Sequence, residues 1–426
     1  MADGVLQPVE PLEIDRHPAG PPLGAPTRWP FRSFWMGGFE GADHLNGHAH
    51  ALDMARANGH LARLDEDYAA AAALGLRSVR ESIGWRLAEA PGGRFDFARL
   101  RAMAQAARRQ GVQVVWTLMH YGTPADVDLR DDRMIDRFAR FAAAVADTLG
   151  ALSDEAPVYN LVNEIGFLAW AVSETAQIHP YRQDLAGRAA ESTARSGYAV
   201  KRRLVCAVLA AIEAVREVDP RARFLHIEPL VHVAAPVDRP DLQALADTVC
   251  GYQWQAWDLI GGRAEPELGG SADALDLIGV NHYHSGQWEV GSEARLWWHL
   301  RDPRRRPLAA LLGDAWRRYR RPMIIAETGH VGAGKAAWLE GVADDVLQAR
   351  ALGLPVGGIC LYPLVDRPDW NDPRHWHRSG LWDVDAAARA SGLQAMPASA
   401  FARTLDTGYA SALAAYQRRL PRGRAR

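Results

Sequence analysis

The chain has 426 residues, 48% hydrophobic and 23% charged, with a formal net charge of −2. That balance fits a globular protein with a large core and gives no electrostatic case for nucleic acid or a membrane surface as partner. Cys206, Cys250 and Cys360 are too few and too scattered for a disulfide framework or a zinc site.

Residues 1–32 hold many Pro and Gly without periodicity, which predicts an extended or disordered arm. No charged start followed by an apolar run is present, and no run is long enough to span a bilayer, so a cytoplasmic location is expected. An alternation of apolar runs and periodic segments then begins. Residues 33–38 (SFWMGG) read as a strand leading to Glu40. Residues 61–74 read as a helix stopped by Gly75. Strand 76–82, helix 97–110, strand 112–119 and helix 134–149 follow. Next come strand 158–162, a long loop with short helical pieces, and helix 200–218 stopped at Pro220. Strand 223–228, helix 240–259 and strand 275–281 lead into an irregular Arg-, Trp- and Pro-rich stretch at 286–319. Strand 323–327, helix 336–351, strand 356–362 and a last helix at 398–418 complete the series.

Eight apolar strands alternating with helices predict a (β/α)8 TIM barrel over residues 33–418 as one domain. Residues 419–426 read as a basic, solvated tail. A doubly wound open sheet is the alternative, but no early Gly-rich strand-to-helix turn supports it. In a barrel the C-terminal strand ends share one pocket. Here those ends are polar: Glu40, Arg80, His120, Asn163-Glu164, Glu228, Asn281 with Tyr283, Glu327, and Tyr362 leading to Asp366 and Asp369.

Glu164 ends VYNLVNE and Glu327 ends PMIIAE. A carboxylate at the tip of an apolar strand is costly unless it is paired or used. Two of them suggest glycoside hydrolysis with retention, in which one carboxyl protonates the leaving oxygen and the other attacks the anomeric carbon. Arg80 and Tyr283 are suited to keep a nucleophile ionised, and Asn163 to hold a sugar hydroxyl. The chain has fifteen Trp. Trp85, Trp116, Trp288, Trp370, Trp376 and Trp382 fall near strand ends, where indole faces stack on sugars.

In these segments the chain resembles glycoside hydrolase family 1 and its clan of barrels. The matching residues run in one order: Gly38-Phe39-Glu40-Gly41, Arg80 to Trp85 (RESIGW), Thr117 to Tyr121 (TLMHY), Asn163-Glu164-Ile165, Ile278 to Tyr283 (IGVNHY), Ala326 to Gly329 (AETG), then Tyr362, Asp366, Asp369 and Trp370. The resemblance implies a retaining β-glycosidase without metal or cofactor, with Glu164 as acid/base and Glu327 as nucleophile. It implies a carbohydrate substrate held by Glu40, Arg80, His120, Asn163, Asn281, Tyr283, Tyr362, Asp369 and Trp370. Five positions depart from the family pattern. Gly38 stands for a sugar-gripping Gln, Tyr362 for Trp, Asp369 for Glu, Ile165 for Pro and Thr328 for Asn. They imply retained chemistry with altered sugar specificity.

Other signals compete. Residues 329–335 (GHVGAGK) have phosphate-loop spacing, but Ala336 stands where a magnesium-binding hydroxyl belongs. His44, His48 and His50 fit no metal-binding spacing and read as loop or surface residues. Residues 371–378 (NDPRHWHR) read as a pocket wall, with His375 and His377 as possible contacts. A silent carbohydrate-binding barrel and an endo-acting polysaccharide hydrolase of the same clan remain as alternatives.

Overall fold

The computed structural model describes residues 29–181, 193–385 and 401–420. Eight parallel strands close into a barrel in sequence order, with the first bonded to the last. They are β1 (Trp35–Gly38), β2 (Ser78–Ser82), β3 (Gln113–Met119), β4 (Val158–Val162), β5 (Arg223–Pro229), β6 (Leu277–Asn281), β7 (Met323–Thr328) and β8 (Val356–Leu361). Around them lie α1 (Leu64–Ala73), α2 (Ala98–Arg109), α3 (Arg133–Gly150), α4 (Ile165–Glu174), α5 (Thr193–Val218), α6 (Gln243–Gly251), α7 (Leu308–Tyr319), α8 (Lys335–Ala351) and α9 (Thr407–Arg419). Among the described residues no helix is long and apolar enough to cross a membrane.

The strands are largely apolar and buried on both faces, β2 (SVRES) being the polar exception. One face meets the helices. α3 shows why: Phe138, Phe141, Ala142, Val145 and Leu149 recur at helical spacing and are buried. The other face lines the barrel interior, where Met36, Val115, Val158, Leu225, Leu277, Ile324 and Cys360 form one cluster. Phe31 packs into that cluster and Trp29 lies against it, so residues 29–32 belong to the barrel; residues 1–28 and 421–426 lie outside the described part.

Three elements differ from expectation. The stretch 286–319 contains helix α7, with Leu308, Leu311, Leu312, Ala315 and Tyr319 on its buried face. The Arg-Pro run at 303–307 hides that start. Within the last predicted helix, Arg403–Leu405 is a strand paired with Trp382–Val384, and α9 begins only at Thr407, where the Asp406 side chain accepts from the Tyr409 N–H. Residues 386–400 lie outside the described part. Arg403 also reaches back to Asp67 at 2.8 Å, and Asp67 holds the buried His60 at 2.8 Å, so the end of the chain is tied to the first βα unit.

Candidate active site

The strand ends bring polar side chains from several strands together. At the end of β4, Glu164 leaves the strand with a left-handed backbone, φ 49°. Tyr121, just past β3, is also left-handed, φ 80°. Each such conformation costs a non-glycine residue ~1–3 kcal/mol and persists only where the surroundings enforce it. The two side chains meet: the Tyr121 hydroxyl donates to Glu164 Oε2 at 2.6 Å. Asn281, at the end of β6, donates from Nδ2 to Oε1 at 2.8 Å.

Glu327 sits near the end of β7. A register shift between Ile325 and Glu327 interrupts the pleat there, a device that re-aims side chains beside active sites. Arg80 Nη1 donates to Glu327 Oε1 at 2.8 Å, and the Tyr283 hydroxyl donates to Oε2 at 2.7 Å. Arg80 is buried, 1% exposed, and its Nη2 donates to Asn163 Oδ1 at 3.1 Å. One guanidinium therefore bridges Glu327 to the neighbour of Glu164.

The two carboxyls differ in surroundings. Glu327 has a buried cation and a phenol on its oxygens. Glu164 has only neutral donors, and burial followed by the Glu327 charge pushes its carboxyl up to about 7. Burial opposes the Arg80 charge most, yet the Glu327 charge and hydrogen bond together with Tyr362 and Cys360 outweigh it, and Arg80 holds its proton more tightly than usual. His120 is held far below the ordinary imidazole range by burial and by Arg80, so it is neutral. It lies 3.0 Å from Ser82 Oγ and 3.3 Å from Asn163 Nδ2.

The remaining predicted residues form the wall toward β1 and β8. Glu40 is buried and paired with Arg367 at 2.8 Å, while its other oxygen accepts the Ala42 N–H at 3.1 Å. Tyr362 packs over Gly38: a Cβ on Gly38 would lie 2.2 Å from its Cδ2. A tyrosine ring thus occupies space that a longer residue at 38 would need. Asp369 is bound to His377 at 2.9 Å and to the N–H groups of Asn371 and Asp372. Trp370 contacts the rings of Tyr121 and His44.

Several expectations are corrected. Trp85 is fully buried against Phe138 and Phe141 and gives its N–H to Glu89, so it is core. Trp116 and Trp382 are buried in the same core, and Trp288 lies with Val233, Ala246 and Val290. Asp366 is fully buried and accepts the Gly380 N–H at 2.9 Å. Lys335 donates to the Gly380 carbonyl and pairs with Asp406, both at 2.8 Å, so it is committed to the fold. His44 is buried, whereas His48 and His50 are exposed. Among the described residues no group of three His, Cys, Asp or Glu is placed to hold a metal.

Sequence reasoning missed four contributors. Tyr121 carried a signal as the aromatic residue after His120. Arg367 carried none, being 327 positions from Glu40. Phe167 and Trp170 lie on α4 directly after Glu164. Their rings continue from Tyr121 at 5.3 and 5.8 Å, and Trp170 is 42% exposed.

No family model and no curated protein matches the chain. Solved structures do. The β-glycosidase BGL167 is 21% identical, with a TM-score of 0.66 over 93% of this chain and 99% of that chain. The AHE enzyme from Alicyclobacillus herbarius is 16% identical, with a TM-score of 0.67 over 91% and 98%. The β-glucosidase from Thermotoga maritima in complex with noeuromycin is 16% identical, with a TM-score of 0.64 over 91% and 98%. The chain therefore shares its (β/α)8 barrel with these structures. The family resemblance read from the sequence is met as a likeness of fold.

Proposed function

We propose that residues 33–418 form a retaining glycoside hydrolase acting on β-linked sugars, with Glu164 as acid/base and Glu327 as nucleophile. The observation that carries this reading is the unequal support of the two carboxyls. Arg80 and Tyr283 both donate to the Glu327 oxygens, whereas burial and the Glu327 charge keep a proton on Glu164 up to about 7.

In the first step Glu164 gives its proton to the glycosidic oxygen while Glu327 bonds to the anomeric carbon. The C–O bond to the leaving group breaks, and a glycosyl ester remains. In the second step ionised Glu164 takes a proton from water, the water oxygen attacks the anomeric carbon, and Glu327 departs as carboxylate. Retention asks for ~5–5.5 Å between the carboxyls. His120 and Asn163 are the candidates for contact with the bound sugar. Phe167 and Trp170 lie on the Glu164 side, where the leaving group emerges. The Gly38–Tyr362 and Glu40–Arg367 pairs support an altered sugar specificity. Three free thiols suit a cytoplasmic enzyme.

Glu327→Ala tests the assignment. It should abolish turnover of any activated β-glycoside the wild type cleaves, with azide restoring part of it as an inverted glycosyl azide. Turnover that persists in Glu327→Ala without azide would overturn the reading. Nucleotide-dependent stabilisation with magnesium should be absent.

A further inference from the structure

A third strand-end carboxylate stands beside the pair, and the proposed reaction does not use it. Glu228, in β5, is 2% exposed. Its Oε2 accepts the N–H of Gly166 at 2.9 Å. Gly166 is the second residue of α4, and Glu164 is the residue before that helix. The Glu164 N–H donates to the carbonyl of Ile227, the neighbour of Glu228, at 3.0 Å. The end of β5 thus grips the chain on both sides of the Glu164 side chain. The fit is close: a Cβ on Gly166 would lie 2.7 Å from Glu228 Oε2. The left-handed turn at Glu164 needs such enforcement.

Charged and titratable groups face this contact from every side. Glu164 is faced by Glu327 of β7, Tyr121 after β3, Asn281 of β6 and Arg80 of β2. Glu228 is faced by Glu164 and by Lys201 of α5, and Lys201 is faced in turn by Glu174 of α4. Lys201 is buried and donates to Gln255 Oε1 at 2.7 Å. Burial raises the Glu228 carboxyl to about 8, against the Gly166 N–H and Lys201. Burial lowers the Lys201 amine to about 8, against Glu228.

We propose that Glu228 is a positioning residue for the acid/base: by holding the Gly166 N–H it fixes the first turn of α4 and so aims the Glu164 carboxyl at the leaving-group oxygen. This rests on the assignment of Glu164 as acid/base.

The test compares aryl β-glycosides with good and poor leaving groups. In Glu228→Ala, kcat/KM for poor leaving groups should fall on the order of 10- to 100-fold, because a misaimed acid delivers its proton badly. Activated substrates should lose less than about 3-fold, because they need little proton donation. Gly166→Ala should give the same split by pushing the carboxyl away, and the double variant should be no worse than either single. Glu228→Gln keeps an acceptor oxygen and should recover most of the loss. Equal loss on both substrate types, or no loss, overturns the proposal. Should Glu228→Ala fail to fold, Gly166→Ala carries the comparison.

A second arm does not need turnover. The Glu164 carboxyl titration, read by 13C NMR and assigned with Glu164→Gln, should move down by ~1 pH unit in Glu228→Ala as the first turn of α4 loosens and water reaches the carboxyl. An unmoved titration in a folded variant overturns the proposal. Wild-type protein that cleaves no glycoside in the panel sinks the hydrolase reading instead, and the titration then decides the role of Glu228 alone.

Discussion

Removing the Tyr121 hydroxyl tests the electrostatics of the pair most directly. Tyr121→Phe keeps the ring, which packs between Phe167 and Trp370, and deletes one donor 2.6 Å from Glu164 Oε2. That donor stabilises the carboxylate and so pulls the pKa down against burial. A hydrogen bond to a charged acceptor contributes ~1.5–3 kcal/mol, and one pKa unit corresponds to about 1.4 kcal/mol. Loss of the donor should therefore raise the Glu164 pKa by ~1–2 units from about 7. The sign follows from the role. An acid must hold its proton, so activity declines as pH rises through its pKa, and the variant should stay active to higher pH. The assay is kcat/KM for a glycoside with a poor leaving group from about pH 5 to 10, which reports the free enzyme. An alkaline limb that stays in place or moves down would refute both the role of Glu164 and the account of its pKa.

Three further outcomes are expected. Glu164→Gln should stabilise the protein increasingly as pH rises. A folded pKa raised from 4.5 to about 7 supplies stability below the lower value that is lost on passing the upper one, a difference of roughly 3 kcal/mol. A stability gap between variant and wild type that ignores pH would count against it. Arg80→Met should destabilise by ~3–5 kcal/mol in denaturant unfolding, because it strands the Glu327 carboxylate without its buried partner; a loss under about 1 kcal/mol would mean that the pair is effectively solvated. Gly38→Ala should cost ~1–3 kcal/mol, since its Cβ would meet the Tyr362 ring. In a Tyr362→Ala background the cost should vanish, and additive losses would show that the two positions do not touch.

The barrel was legible because most strands are short apolar runs leading to a polar residue, the pattern that burial on two faces asks for. The acid and nucleophile candidates were legible for the same reason: Glu164 and Glu327 interrupt apolar runs. What sequence did not reveal is which polar groups meet across strands. Asn281 looked like a sugar contact, and the structure turns its amide onto Glu164. Glu40 looked available, and Arg367 occupies it. Trp85 looked like a platform because nothing local showed that Glu89, four residues on, satisfies its N–H. Lys335 had the spacing of a phosphate ligand, yet its partner Asp406 is 71 positions away. Such pairings depend on closure of the barrel, which brings distant strand ends within hydrogen-bond reach.

The Tyr362 ring seated over Gly38 joins the last barrel strand to the first. Recombination with a relative that carries Gln and Trp at these positions meets a constraint there. A single crossover anywhere between β1 and β8 separates the two residues and pairs a long side chain with a ring already in its place. Fragment exchange at this wall succeeds only when both termini of the barrel travel together, so the two positions are inherited across the seam as one unit.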